Sequence, residues 1–175
     1  MSITASTIEW AEELVETPEE DAPELDDLPD CFQWRDTLRQ VTTTLRDASV
    51  LGMPAPHGAL FYGPPGNGRH TLAQAYISTM WRWRQVGPEL VPLFRVDASQ
   101  FPEGLDLQEA LDRIDTIFDV ISDPRKYDFC DDAEFGIILF DQMERYAHVD
   151  ALAYSIAQWT ADLSDHAAVI CITED

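Results

Sequence analysis

Residues 58–71 read GALFYGPPGNGRHT, an apolar run that passes directly into a loop rich in glycine and proline. The apolar part, Gly58–Tyr62, predicts a short strand, and residues 69–83 predict the helix that follows the loop. Glycines between a strand and a helix let backbone N–H groups point inward at phosphate oxygens, and the helix adds the partial positive charge of its N-terminus. The stretch therefore predicts a phosphate-binding loop.

Strands and helices alternate through the rest of the chain. Further strands are predicted over residues 90–96, 136–140 and 167–172. The second of these is fully apolar, which is typical of a central strand. Near-helical spacing of apolar residues predicts helices over about residues 31–51, 107–118 and 149–163. This alternation predicts an α/β fold with a parallel sheet and helices on both faces.

The first 30 residues are acidic, contain no lysine or arginine, and are interrupted by prolines. We interpret residues 1–30 as a largely disordered arm, separate from a core over residues 31–175. Within the arm, the apolar residues of 8–15 predict a short amphipathic helix that begins at Ser6 or Thr7. Composition leaves open whether this helix is a docking peptide or the arm only keeps the chain in solution.

Charge restricts the classes of partner. The chain has 11 Lys and Arg against 33 Asp and Glu, for a formal net charge of −22. Phosphate backbones and anionic membranes would repel such a chain, so we expect neither nucleic acid nor a membrane as partner, whereas a basic protein surface would attract it. Adaptation of a whole proteome to high salt would give the same composition, and both explanations stay open.

The cysteines and the hydropathy favour a reducing, aqueous compartment, and we expect the cytoplasm. Cys31, Cys130 and Cys171 are far apart and lack the paired spacing of a disulfide framework or a zinc site. No apolar run approaches the length of a bilayer span, and the N-terminus lacks the basic and apolar regions of a secretory signal.

Three segments resemble motifs of AAA and AAA+ ATPases, in the order that this family has them. Residues 56–75 resemble the Walker A region, with the sequence PHGALFYGPPGNGRHTLAQA. Residues 136–144 (GIILFDQME) resemble the Walker B strand, and residues 169–175 (VICITED) resemble the sensor-1 strand. The resemblance covers residues 31–175 and implies a P-loop NTPase core that binds ATP or ADP and assembles into oligomers. The residues that it assigns to the nucleotide are Gly63, Pro64, Pro65, Gly66, Asn67, Gly68, Arg69, His70 and Thr71.

The Walker A-like loop departs from the family at two positions. Arg69 replaces the lysine that reaches the β- and γ-phosphates, and its planar guanidinium binds differently although it keeps the charge. His70 replaces the hydroxyl residue that would ligate Mg²⁺, and neutral imidazole is a poor ligand for a cation that prefers oxygen. Thr71 has a hydroxyl but lies about 100° further round the helix. We therefore expect the loop to hold phosphate through Arg69 and to bind Mg²⁺ poorly.

The Walker B-like segment is also degraded. Asp141 occupies the aspartate position and would be the remaining residue for Mg²⁺. Gln142 stands where the family has the catalytic glutamate that polarises the attacking water, and loss of such a base costs a factor of about 10²–10⁴. Glu144 would point to the other face of a continued strand. Thr173 or Glu174 falls at the sensor position, where a glutamate would bring negative charge near a γ-phosphate.

The resemblance also implies elements that follow the sensor strand in the family: a trans-acting arginine finger, a fifth strand and a helical lid. We expect a core truncated after its fourth strand, without the lid. An arginine finger is worth a factor of about 10³–10⁵ in related phosphoryl transfer. Either the chain is a fragment of a longer protein, or it depends on neighbouring subunits for these elements.

These departures lead to one expected function and two alternatives. We expect an AAA+ ATPase-like domain that binds ATP or ADP with impaired or absent hydrolysis. It would act as a subunit or regulator in a larger assembly, beside AAA+ subunits or on a basic protein surface. The alternatives are an interaction module that binds no nucleotide and uses its acidic arm, and an active ATPase with an atypical site.

Overall fold

The computed structural model describes residues 3–29, 34–50, 58–102, 104–146, 150–163 and 166–174. Its strands are β1 (Val15–Glu16), β2 (Gly58–Tyr62), β3 (Leu93–Val96), β4 (Gly136–Phe140) and β5 (Ala167–Thr173). Its α-helices are α1 (Ala5–Leu14), α2 (Arg35–Val50), α3 (Arg69–Trp83), α4 (Leu107–Ser122) and α5 (Asp150–Asp162). The strands form one sheet in the order β1-β3-β4-β5-β2, and all neighbours are parallel except β1 and β3. The predicted α/β fold with a parallel sheet is confirmed, and β1 is an addition to it.

Side chains pack in two layers, one on each face of the sheet. On one face, α1, α4 and α5 cover Phe94 and Ile138; on the other, α3 covers Leu93 and Ile137. Neighbouring residues of a strand point to opposite faces, so a strand that is covered on both sides must be apolar throughout. All residues of β4 are buried, as expected for its place in the middle of the sheet. The prediction of a central strand at this position is confirmed.

Residues 3–29 fold against the core, so the prediction of a largely disordered arm does not hold there. The predicted amphipathic helix is present as α1, but its N-cap is neither Ser6 nor Thr7. The cap is Thr4, whose hydroxyl accepts a hydrogen bond from the N–H of Thr7 at 3.3 Å. The Thr7 hydroxyl in turn lies 2.9 Å from that of Thr116 on α4, in a buried hydrogen bond. This polar contact and the apolar face of α1 fix the helix to the core.

The chain then passes the edge of the sheet and reaches the other face. β1 pairs with β3, and a carboxylate oxygen of Glu16 lies 3.3 Å from Nε of Arg95. Leu25 is fully buried in the layer that contains α3, Leu28 is buried beside it, and the Leu25 N–H donates to Oγ1 of Thr79 at 2.9 Å. Composition misled the prediction because a few well-spaced apolar residues are enough for burial. The acidic residues remain exposed at Glu9, Glu12, Glu13, Glu19, Glu20 and Asp21.

Burial keeps the two cysteine thiols in the described residues protonated. Cys130 is buried and Cys171 is partly buried, and neither forms a disulfide. Burial raises the pKa of Cys130 to about 11 and that of Cys171 to about 12, so both stay protonated near neutral pH. Cys31 lies outside the described residues. In the same part of the chain, no helix combines the length and apolar character needed to cross a bilayer.

Candidate nucleotide-binding site

The loop between β2 and α3 has a backbone that favours glycine. Gly63, Gly66 and Gly68 have φ angles of +143°, +80° and +82°, a region that other residues rarely adopt. An added Cβ at Gly63 would also lie 2.3 Å from Nδ2 of Asn67, so the Asn67 side chain would have to move. The Asn67 side chain caps the helix start, since its Oδ1 accepts from the N–H of Arg69 at 3.1 Å. The loop therefore leads through three left-handed glycines directly into the N-terminus of α3.

Arg69 lies across the base of this loop. Its side chain is only 8% exposed. One end of the guanidinium donates to the carbonyl oxygen of Gly63, and Nη2 lies 3.0 Å from Oε1 of Glu174. The third guanidinium nitrogen, Nε, is buried and has no hydrogen-bond partner among the described residues. A buried cationic donor without an acceptor destabilises the folded state, unless an anion accepts a hydrogen bond from it.

The remaining loop residues lie nearer the solvent. Pro64, Pro65 and Asn67 are exposed at the crest of the loop, and Thr71 is exposed on the first turn of α3. None of the contacts found in the described residues joins Thr71 to the end of β4. The structure thus gives no sign that the Thr71 hydroxyl replaces the hydroxyl that His70 lacks.

His70 and Asp141 contact each other directly. Nε2 of the imidazole lies 2.9 Å and 3.2 Å from the two carboxylate oxygens of Asp141, which follows β4. Oδ1 of Asp141 also accepts from the N–H of Gln142 at 2.8 Å. The two positions that would serve Mg²⁺ are therefore engaged with each other. Among the described residues, no group of three His, Cys, Asp or Glu side chains is placed to hold a metal ion.

Gln142 turns the chain out of the strand direction. Its φ of +55° is left-handed, and it opens a 3₁₀ turn over Met143–Arg145. Glu144 consequently reaches the end of β5, where its Oε2 accepts from Oγ1 of Thr173 at 3.0 Å and from the N–H of Glu174 at 3.2 Å. The strand ends at Phe140, so the condition under which Glu144 would point to the other face is not met. Glu144 is part of the site, and the sequence alone gave no signal for the turn that places it there.

The Glu144 carboxyl is held in its charged form. Burial alone would raise its pKa, but the balance lowers it below the usual value. The N–H groups of Glu144 and Glu174, the Thr173 hydroxyl and the Arg69 guanidinium all favour the carboxylate. Arg69 is therefore the cation of a site that also contains two carboxylates, Glu144 and Glu174. The resemblance to the sensor-1 strand already predicts Thr173 or Glu174 near the phosphates, and the pairing of β2 with β5 brings Glu174 beside Arg69.

Two solved structures that resemble this chain in fold are those of AAA ATPases. A structure of katanin, determined to explain its self-assembly, matches with a TM-score of 0.62 and 15% identity over 99% of this chain and 54% of the katanin chain. C. elegans PCH-2 matches with a TM-score of 0.58 and 16% identity over 90% of this chain and 41% of the PCH-2 chain. The chain has an AAA+ fold.

The AAA+ fold explains why the site lies where it does. The loop, Asp141 and Glu174 all follow the carboxyl ends of parallel strands, and such ends meet at one edge of the sheet. The chain spans about half the length of the katanin chain and less of PCH-2. No protein-family model matches the sequence, and no curated protein matches it either. The likeness to katanin and PCH-2 therefore establishes the fold, and the chemistry must be argued from the site itself.

Proposed function

We propose that this chain is an AAA+-like domain that binds ATP or ADP with impaired or absent hydrolysis, as a subunit or regulator of a larger assembly. The observation that carries the proposal is Arg69, a buried cation with an unpartnered Nε, on the first turn of α3 directly after the glycine loop. Backbone N–H groups, a helix N-terminus and a guanidinium are the groups that bind phosphate oxygens in proteins. Gly66, Gly68 and Arg69 would hold the phosphates, and the bound nucleotide would supply an anion to the buried guanidinium.

The same site fits Mg²⁺ poorly. The carboxylate of Asp141 is occupied by His70 at 2.9 Å, and the imidazole stands where an oxygen ligand is needed. The Gln142 amide cannot accept a proton from water as a carboxylate can, and Glu144 is tied to the end of β5. These contacts favour binding without turnover.

Calorimetric titration with ATP and ADP, with and without Mg²⁺, tests this proposal, alongside a phosphate-release assay. We expect nucleotide binding that changes little with Mg²⁺, and no hydrolysis above background. Robust turnover by the unmodified chain would contradict the proposal. The combined variant Arg69→Lys, His70→Thr and Gln142→Glu should regain turnover only where a neighbouring subunit completes the site.

An uncharged surface supports the role in an assembly. Among the described residues β2 pairs only with β5, and its Leu60 and Tyr62 are 62% and 73% exposed. A groove of about 660 Å³ runs between β2 and α5, and no charged residue lines it. An exposed strand edge with apolar side chains pairs readily with another strand. We propose as occupant an apolar extended segment, supplied either by a different protein or by chain beyond residue 175, because two copies at −22 each would repel.

Replacement of Leu60 by Glu tests this surface without touching the loop. Co-sedimentation or light scattering of the assembly should then show that the Leu60→Glu chain no longer binds its partner. The control Leu107→Glu, at an exposed leucine on α4, should still bind it. Retention of the partner by Leu60→Glu would contradict this surface. Self-association of the isolated chain would show instead that a second copy fills the groove.

A second candidate function is the interaction module without nucleotide, which the internal ion pairs favour. Arg69 and His70 already have carboxylate partners, and α1 presents exposed acids at Glu9, Glu12 and Glu13. A basic protein surface would be the partner. Reversal of these three charges to lysine should then abolish association, and no chain should bind nucleotide at millimolar concentration. Unchanged association after the reversal would count against this candidate.

A further inference from the structure

The carboxylates around Arg69 bear on which nucleotide the site accepts. Glu174 lies 3.0 Å from the guanidinium, and Glu144 is joined to the Glu174 N–H at 3.2 Å. Glu144 is also close enough to Arg69 for the guanidinium to lower the pKa of its carboxyl. One cation thus stands opposite two carboxylates at the place where a phosphate would meet it.

The inner phosphates of a nucleotide and its third phosphate would have different surroundings in this site. The inner phosphates would lie against the glycine loop and the start of α3, where the described residues place no carboxylate against a backbone N–H. The residue at the position of Arg69 is the one that reaches the β- and γ-phosphates. A third phosphate would have to approach beside Glu174 and Glu144 or displace Glu174 from the guanidinium. Mg²⁺, which normally neutralises part of that charge, has a poor site here because His70 occupies Asp141.

We propose that the site selects nucleoside diphosphates over triphosphates, and that Glu174 and Glu144 determine this specificity. The proposal rests on the proposed function, since it requires that the loop bind nucleotide at all. Like charges brought together in a partly buried site cost enough to change affinity by about tenfold or more. The domain would accordingly stay in a diphosphate-bound form in the presence of both nucleotides.

Titration of ADP and ATP into three variants and the wild-type chain tests the selectivity. The variants are Glu174→Gln, Glu144→Gln and the control Glu134→Gln, whose exposed side chain lies before β4, at the opposite end of the sheet. We expect wild type to bind ADP about tenfold more tightly than ATP. Glu174→Gln should raise the affinity for ATP more than that for ADP, Glu144→Gln should act in the same direction, and Glu134→Gln should change neither ratio.

Pyrophosphate and tripolyphosphate, used in the same titrations, show whether the phosphates alone account for the difference in affinity between ADP and ATP. Thermal melts confirm that each variant is folded. Equal binding of ADP and ATP by wild type, or an equal shift of both by Glu174→Gln, would overturn the selectivity but leave the proposed function standing. Absence of binding to either nucleotide in all four folded chains would overturn both.

Discussion

Replacement of Leu25 by Ala tests whether the N-terminal segment is part of the folded core. Leu25 is fully buried in the layer with α3, and its N–H bond to Thr79 at 2.9 Å does not depend on the side chain. Truncation of a buried leucine costs about 2–5 kcal/mol through lost transfer energy and the cavity that remains. We expect about 3 kcal/mol here, because the single 3₁₀ turn over Leu25–Asp27 can relax more than a long α-helix. For a chain of this length that lowers Tm by about 6–12 °C.

Urea unfolding followed by tryptophan fluorescence measures the change, since the chain has 5 tryptophans. The matched control is Leu107→Ala, at a leucine that is 44% exposed on α4, where we expect a change within about 0.5 kcal/mol. Equal, small effects of the two substitutions would refute the packing of residues 3–29 against the core. They would support the disordered arm that composition predicts. A large effect of Leu25→Ala alone supports the folded segment.

Three further predictions concern the loop and its surroundings. Gly66→Ala and Gly104→Ala each place a side chain at positive φ with open space around it. Each should therefore lose about 1–2 kcal/mol of stability. Only Gly66→Ala should weaken nucleotide binding in a titration. Because the folded pKa of Glu144 is lowered, its stabilising contribution is present above the unfolded value of about 4.3 and is lost as pH falls through the folded value. Glu144→Gln should therefore be less stable than wild type at pH 7 and lose that difference in acid; a constant difference down to low pH would contradict this. Gln142→Glu alone should leave phosphate release at background, because the imidazole–carboxylate pair beside it remains; a clear rise would show that the amide is the only defect.

The regular parts of the fold were predictable because their signals are local. β4 is apolar at every position, and the glycine loop begins α3 at Arg69 as predicted. Burial on two faces and the φ angles of a tight loop each restrict the residue types directly, so the sequence shows them.

The parts that were not predictable depend on contacts between distant residues. Leu25 reaches its buried position only because α3 offers a matching surface, and the many acids around it dominate any composition average. Glu144 reaches the end of β5 because Gln142 adopts a left-handed φ, a conformation that glutamine does not signal. Such placements are tertiary effects that override local propensity.

The central claim is that Arg69 anchors a bound nucleotide. Its most direct test is a calorimetric titration of ADP into wild type, Arg69→Ala and the control Arg125→Ala, an exposed arginine beyond the end of α4. We expect saturable binding by wild type and Arg125→Ala, and loss of binding in Arg69→Ala at up to millimolar ADP. Equal binding by Arg69→Ala and wild type, or no binding by any of the three, would contradict the account.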